Sequence, residues 1–278
     1  KFEEKMGYAN ILKITRTYRN SQELIDIAGG FVMENQKQIK KDLKSKKTIK
    51  DPVILMSYDD GYDKDDQEHG PFYRLGEAIE KSLDDIVSKS GAESSVLLIG
   101  RYNFDGKNLT KLEDFFEWQN DKIVSKKYPK LDISFMTAHA SKGLGRDNVV
   151  IINGKDDVLG FPSKIEDDPV MKLVIKDDES MDFEEERRLF YVALTRTKNR
   201  VYIVTPQLKP SKFILEIQKK FTNVILRGTE LNPQDDKKTK YICPCCGYPL
   251  QKRVSNLKFS NVTKKLWICS NDPEVCGF

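Results

Sequence analysis

The stretch EEERRLFYVALTRTKNRVYIVTP (184–206) contains the pattern that decides the fold. Three acids open it, and they favour the start of a helix because they complement the positive end of the helix dipole. Apolar side chains then recur at helical spacing, and the stretch closes with the β-branched and aromatic residues that are typical of strands. The stretch therefore predicts a helix that leads directly into a buried strand, with Arg196 at the junction between them.

Strand-like and helix-like stretches alternate in the same way along the first 236 residues. Further apolar runs predict strands at 11–15, 51–58, 94–101, 131–139 and 147–154. Amphipathic stretches predict helices at 21–36, 71–90 and 108–120. This alternation indicates an α/β fold in which a parallel sheet carries helices on both faces. Ligands of such sheets bind beyond the carboxyl ends of the strands, so we expect the site in the loops that follow them.

The composition is that of a globular protein, with 278 residues, of which 38% are hydrophobic and 32% are charged. This length suits one medium α/β domain and one small domain. No apolar run approaches the length of a membrane span, and no signal peptide is visible, so we expect a cytoplasmic protein with no membrane partner. The chain begins in the middle of a pattern without Met, and we expect it to be part of a longer protein.

Tyr18 and Arg19 lie between the predicted strand at 11–15 and a helix that Ser21 can cap. An arginine near a helix N-terminus favours anions, because backbone N–H groups and the guanidinium all donate there. Tyr18 offers a flat face for a base. Taken alone, the pair is equally compatible with a core tyrosine and a surface arginine.

The stretch TAHASKGLGRDNVVIING (137–154) places small, hydroxylated and basic residues at the end of a predicted buried strand. These residues are Thr137, His139, Ser141, Lys142 and Gly143. Such a loop can line a path for phosphates, and a glycine in it lets the backbone approach a ligand closely. His139 is equally compatible with a structural role.

Arg196 follows Leu189 by seven residues and so falls on roughly the same helix face, beyond the apolar stripe. This geometry suits a guanidinium that is presented to a transferring phosphoryl group. An arginine that only complements the negative end of the helix dipole would occupy the same position. The 278 residues contain no Gly-x-x-x-x-Gly-Lys-Ser/Thr loop. If a nucleoside triphosphate binds, another domain must therefore supply the phosphate loop and the Mg²⁺ ligands.

The last 42 residues (237–278) differ from the rest, because they contain all five cysteines of the chain and eight Lys/Arg residues. Cys243 and Cys246 form a Cys-x₂-Cys pair that is followed by a glycine, and Cys269 and Cys276 come later in the chain. These four thiolates suit a structural Zn²⁺ site. Cys245 is then left without a role in the site. The basic charge favours a nucleic-acid partner or a solubilising role. Trp267 is a candidate stacking surface for DNA bases, or part of a small core.

Three segments, TYRNS (17–21), TAHASKGL (137–144) and EEERRLFYVALTRT (184–197), resemble motifs IV, V and VI of superfamily 1A DNA helicases, the UvrD/Rep/PcrA group. The similarity extends over roughly residues 11–220, and within the group it is greatest to the helicase IV type. The resemblance implies a RecA-like α/β domain with a parallel sheet. This domain would be the second motor domain (2A) of a P-loop NTPase-like helicase, and it would itself lack the P-loop. The tail is similar to the zinc ribbons of type IA topoisomerases.

The resemblance also implies roles for individual residues. Tyr18 would pack on the adenine of ATP, and Arg19 and Arg196 would be the catalytic arginines at the γ-phosphate, with Gly143 beside the nucleotide. Thr137 and His139 would contact single-stranded DNA, and Arg101 falls where the family has a further DNA contact. The family usually has a glutamate after Lys-Gly-Leu, but Gly145 stands there, so no ribose contact is assigned.

Together these observations predict a motor domain at 1–230, a linker at 231–240 and a zinc ribbon at 241–278. The expected function is that of an ATP-dependent 3′→5′ DNA helicase or translocase. Its nucleic-acid partner would be single-stranded DNA or a junction of single- and double-stranded DNA. Its protein partner would be an N-terminal motor domain of the same polypeptide, and the two domains would bind ATP and Mg²⁺ between them. This chain alone would be inactive. Two alternatives remain: a non-catalytic DNA-binding module, and a zinc-ribbon adaptor that recruits another protein.

Overall fold

The computed structural model describes residues 15–35, 38, 42–61, 70–119, 122–165, 183–233, 243, 250–256 and 263–269, the last two stretches as backbone only. The helices of this part are α1 (Gln22–Val32), α2 (Pro71–Ser90), α3 (Asn103–Leu109), α4 (Glu184–Leu194) and α5 (Lys212–Lys220). The strands are β1 (Val53–Tyr58), β2 (Ser95–Gly100), β3 (Phe116–Gln119), β4 (Lys122–Ser125), β5 (Asp132–Thr137), β6 (Asn148–Ile151), β7 (Val201–Pro206), β8 (Val224–Gly228), β9 (Leu250–Asn256) and β10 (Thr263–Cys269). None of the described helices is both long and apolar enough to cross a bilayer.

Six of these strands form one sheet in the order β5-β2-β6-β7-β1-β8. Every neighbouring pair in it is parallel. The sheet therefore has two distinct edges: an amino edge, where all six strands begin, and a carboxyl edge, where all six end. The predicted parallel α/β sheet is confirmed.

Side chains alternate between the two faces of each strand, so the sheet carries a hydrophobic core on each side. In β1, Val53 and Leu55 belong to the core that includes residues of α1, α4 and α5. Ile54 and Met56 belong to the opposite core, which includes residues of α2 and α3. Strands that are buried on both faces read as continuous apolar runs, which is why the sequence revealed them.

Local signals explain where several helices begin. The Ser21 side chain accepts a hydrogen bond from the Leu24 N–H at 3.3 Å, which confirms the predicted cap of α1. Helix α2 opens with Pro71, whose missing N–H costs nothing in the first turn of a helix. Ser211 caps α5 by accepting from the Phe213 N–H at 3.2 Å.

The prediction of one helix over 108–120 is wrong. Helix α3 ends at Leu109, and after a short turn the chain enters the β3–β4 hairpin. Phe115 and Phe116 are buried whereas Glu117 and Trp118 are exposed, so the aromatic residues serve the core from a turn and a strand end. Strand β8 at the sheet margin was not predicted, because its short run follows α5 without a clear turn signal.

The tail is described only in part. Strands β9 and β10 pair antiparallel, with Cys269 opposite Leu250, and Cys243 is buried. Cys245, Cys246 and Cys276 lie outside the described residues, as do most of the predicted strand 11–15 and residues 234–240 of the predicted linker. The zinc site and the domain boundaries stay predictions.

Candidate functional site

Arg196 lies at the amino edge of the sheet, two residues beyond the end of α4 and five before the start of β7. A helix that connects two parallel strands runs opposite to them, so its carboxyl end returns to the edge where strands begin. The expectation that the whole site would follow the carboxyl ends of strands is therefore wrong for Arg196. The same edge receives Leu144, which precedes β6.

Arg19 and Arg196, the arginine pair, converge on one backbone oxygen at this edge. Nη1 of Arg19 donates to the carbonyl oxygen of Leu144 at 3.2 Å. Nη1 of Arg196 donates to the same oxygen at 3.3 Å. Both side chains are partly exposed. Two guanidinium groups from distant parts of the sequence thus lie side by side, although only a neutral acceptor joins them.

Arg196 is held in place by the last turn of its own helix. Its Nε donates to the carbonyl oxygen of Val192 at 2.9 Å, and Nη2 donates to Oγ1 of Thr195 at 3.2 Å. Burial lowers the pKa of Arg196, and the positive charge of Arg19 lowers it further. A guanidinium stays protonated in proteins, so this repulsion persists and favours an anion that would lie against both groups.

Asn20 fastens the Arg19 loop to the segment after α4. Its buried Nδ2 donates to the carbonyl oxygens of Thr195, at 3.3 Å, and Thr197, at 2.7 Å. Sequence reasoning missed Asn20, because an asparagine beside a capping serine looks like an ordinary turn residue. Its two hydrogen bonds connect the residue after Arg19 to the residues on either side of Arg196.

Three neighbouring residues shape the surface around the arginine pair. Tyr18 is 81% exposed, so its ring is open to a ligand. Gly143 has a φ of +89°, a conformation that side-chain-bearing residues rarely adopt. At Gly145, a Cβ would lie 3.1 Å from the carbonyl oxygen of Arg196 and 3.3 Å from Cζ of Arg19. The absence of a side chain at Gly145 leaves room for the Arg19 guanidinium.

Thr137, His139 and Arg101 lie at the opposite, carboxyl edge. Thr137 ends β5 and pairs with Gly100, the last residue of β2, which places Arg101 beside it. His139 is exposed. The segment 138–146 then crosses from the carboxyl edge to the amino edge. The predicted nucleotide and DNA residues of the α/β part therefore form two groups on opposite edges, and this segment connects them.

Arg101 is already engaged by a carboxylate. Its Nε donates to both Glu186 oxygens, at 3.1 and 3.0 Å, and its Nη2 donates to Oε1 at 2.7 Å. Sequence reasoning did not single out Glu186, although its helical position at the start of α4 was visible. Trp267 lies in β10, where only the backbone is described.

Known proteins resemble parts of this chain. Residues 73–207 match the model of the UvrD-like helicase C-terminal domain. DNA helicase IV of Escherichia coli is 28% identical over 213 residues, 77% of this chain and 27% of that protein. DNA helicase II of the same organism is 32% identical over 144 residues, 47% of this chain and 18% of that protein.

A solved structure, the C-terminal domain of a possible DNA helicase from Lactobacillus plantarum, aligns with a TM-score of 0.46 and 14% identity, over 76% of this chain and 99% of that one. The chain spans about a quarter of the length of DNA helicase IV and less than a fifth of DNA helicase II. Residues 73–207 of this chain are thus similar to the UvrD-like helicase C-terminal domain, and the chain is similar to parts of DNA helicases IV and II.

Proposed function

We propose that this chain provides the second motor domain of an ATP-dependent DNA helicase or translocase that moves 3′→5′. ATP binds between the arginine pair and a first motor domain, which supplies the phosphate loop and the Mg²⁺ ligands. The observation that supports this most is the convergence of Arg19 and Arg196 on the Leu144 carbonyl oxygen. The pair meets at a rim of the sheet that a neighbouring domain can cover.

The electrostatics of the arginine pair suit a phosphoryl group. A guanidinium carries five N–H donors, and in the described part of the chain the Arg19 side chain uses one of them, toward Leu144. The γ-phosphoryl group gains charge on its outer oxygens as it is transferred, and fixed cations stabilise that charge. Arg19 and Arg196 are the proposed catalytic residues, Tyr18 stacks on the adenine, and Gly143 lets the backbone approach the nucleotide.

Single-stranded DNA is proposed to lie along the carboxyl edge, against Thr137, His139 and Arg101. The segment 138–146 links this edge to Leu144, the residue on which the arginine pair converges. A shift of Thr137 as DNA advances would therefore move the acceptor shared by the arginine pair. This short connection is a physical route by which ATP turnover and DNA movement depend on each other.

The tail is proposed to be a zinc ribbon that adds a second contact for the DNA or its junction. Cys243, Cys246, Cys269 and Cys276 would hold the ion, because four thiolates form the usual closed structural site for Zn²⁺. The antiparallel pairing of β9 and β10 is the kind of hairpin on which such ligands are carried. Zn²⁺ would supply stability to a segment with little core of its own. Trp267 is the proposed stacking residue.

The test of the ATPase proposal is Arg196→Ala in a protein that also carries the first motor domain. We expect kcat for ATP hydrolysis to fall by about 10³- to 10⁵-fold, as in other systems that lose an arginine finger. Arg188→Ala is the matched control, because Arg188 lies on the same helix and pairs with Glu184 and Glu185. Unchanged hydrolysis in Arg196→Ala would instead indicate a non-catalytic DNA-binding module.

A further inference from the structure

The two ends of α4 lie at the two proposed functional edges. Glu186, in the first turn, binds Arg101 at the carboxyl edge. Arg196 follows the last turn and lies at the amino edge. Ten residues at a rise of 1.5 Å each separate them by about 15 Å. One rigid element therefore touches both the proposed DNA surface and the proposed nucleotide surface.

The contact between Arg101 and Glu186 is largely shielded from solvent. The two side chains are only 16% and 14% exposed. Oε2 of Glu186 also accepts from the Ser163 N–H at 2.9 Å. The Tyr102 ring covers the guanidinium at 4.7 Å, and its hydroxyl group lies 2.6 Å from Oγ of Ser163. The Nε and Nη2 side of the guanidinium is thus occupied by one carboxylate in a partly dehydrated setting.

This arrangement conflicts with a simple role for Arg101 as a permanent DNA contact. Arg101 directly follows Gly100, whose carbonyl oxygen accepts from the Ala138 N–H at 2.9 Å, so it stands beside the Thr137 loop. A carboxylate and a phosphate make the same bidentate hydrogen bonds to a guanidinium. A DNA phosphate that binds Nε and Nη2 of Arg101 must therefore compete with Glu186.

We propose that Glu186 is a positioning residue that withholds Arg101 from DNA, and that a phosphate of single-stranded DNA displaces it. This inference rests on the proposed DNA-binding function of the carboxyl edge. In the free protein, Arg101 holds the first turn of α4. When DNA takes Arg101, Glu186 keeps the Ser163 N–H as its partner, and the first turn of α4 is released from β2. Because Arg196 follows the other end of α4, this exchange makes its position depend on bound DNA.

The packing of α4 explains how the exchange can reach the nucleotide edge. Arg187 is buried, and its Nη1 donates to the carbonyl oxygen of Phe31 at 3.0 Å, which fastens α4 to α1. Helix α1 begins just after Arg19. Helices α1 and α4 therefore form one layer, and both members of the arginine pair are attached to it.

The experiment measures the affinity of the purified chain for oligothymidylate by fluorescence anisotropy, over a series of salt concentrations. Glu186→Gln removes the charge that holds Arg101. Glu185→Gln is the matched control, because it removes the same charge from the adjacent position, where the side chain is 86% exposed. We expect Glu186→Gln to bind about tenfold more tightly than the control, and its salt dependence to steepen by about 0.7, the slope of one further phosphate contact.

Two further variants separate the exchange from a general effect of charge or folding. In the double variant Arg101→Gln/Glu186→Gln, the tighter binding must disappear. Glu186→Asp keeps the charge but shortens the reach, so it should tighten binding by a smaller factor, whereas Glu185→Asp should change nothing. Thermal melting of each variant shows that it is folded.

The outcomes distinguish this inference from the proposed function. If the unmodified chain binds oligothymidylate and Glu186→Gln binds no more tightly than Glu185→Gln, the exchange is overturned while the DNA-binding proposal stands. If neither the unmodified chain nor any variant binds, the DNA-binding proposal and the exchange both fall. Tighter binding that persists without Arg101 also overturns the exchange.

Discussion

Gly145 shows how much the proposed nucleotide surface depends on a single residue. It lies where the loop before β6 meets the arginine pair, and a Cβ there would come within 3.1 Å of one backbone oxygen and 3.3 Å of the Arg19 guanidinium. Contacts this short require a neighbour to move. The oxygen belongs to the backbone of Arg196, which follows α4 directly, whereas the Arg19 side chain is flexible. A side chain at this position would therefore displace Arg19.

The first prediction is that Gly145→Ala lowers kcat for ATP hydrolysis by roughly tenfold, because misplacing a catalytic group by a fraction of an ångström costs rate. We expect little change in thermal stability. Gly29→Ala is the control, because a Cβ at Gly29 meets nothing within 4 Å, and alanine favours a helix by roughly 0.5–1 kcal/mol over glycine. Hydrolysis assays and melting curves on both variants decide the matter. Full activity in Gly145→Ala would show that Arg19 does not need its present position.

At the residue scale, the sequence pointed to arginines that lie beside the ends of helices, where a guanidinium can serve an anion. Arg19 and Arg196 each stood out beside a helix end, and the structure brings them together. Asn20 and Glu186 did not stand out, because their partners lie far away in the sequence. A polar residue before a helix cap and an acid in a first helical turn both have ordinary local explanations. Only the three-dimensional contacts reveal their second role.

At the scale of elements, α4 is anchored by one of its two adjacent arginines. Arg187 is buried, and its two Nη atoms donate to the two carboxylate oxygens of Glu216, each at 2.7 Å. Its Cζ lies 4.5 Å from the centre of the Phe31 ring and 5.0 Å from that of Phe213. Arg188, one position later, is partly exposed. Helical spacing could have predicted this difference, because Arg187 falls three residues before buried Phe190 and thus on the same face.

The second prediction compares the acids that pair with these two arginines. Glu216→Ala leaves a buried guanidinium without its bidentate partner, so we expect the free energy of unfolding to fall by about 1.5–3 kcal/mol. Glu185→Ala removes an exposed partner of Arg188 and should cost less than about 1 kcal/mol. Urea unfolding of both variants measures the difference. Equal losses would contradict the view that Arg187 anchors α4 to α5.

Elements with a sustained pattern were predicted well, and those with a broken pattern were not. The strands buried on both faces and the long helices α2 and α4 follow from runs that keep one periodicity over their length. The segment 108–120 mixes a helix end, a turn and a strand within thirteen residues. A short window cannot separate these, because Leu112, Phe115 and Phe116 fit a helical face as well as a turn that packs on the core.

At the scale of the whole molecule, the parallel sheet separates the two proposed activities. Alternation of strands and helices was enough to predict the sheet, but not which edge each loop reaches. The arginine pair lies at the amino edge, whereas Thr137 and Arg101 lie at the carboxyl edge. Arg196 lies at the amino edge because α4 runs opposite to the strands. Leu144 lies there because the loop 138–146 crosses from one edge to the other without a helix. A crossover without a helix gives no periodic signal.

The last prediction follows from the fact that the sheet presents only one side of a nucleotide site. The arginine pair can stabilise charge on a phosphoryl group, but the sequence has no phosphate loop to hold the β- and γ-phosphates and position Mg²⁺. We therefore expect the purified chain to release no phosphate from ATP above background, with or without single-stranded DNA. When a first motor domain is joined to it, turnover should appear and depend on DNA and on Arg196. DNA-stimulated release by the chain alone would contradict a shared site, because the phosphate-binding groups would then have to lie within these 278 residues.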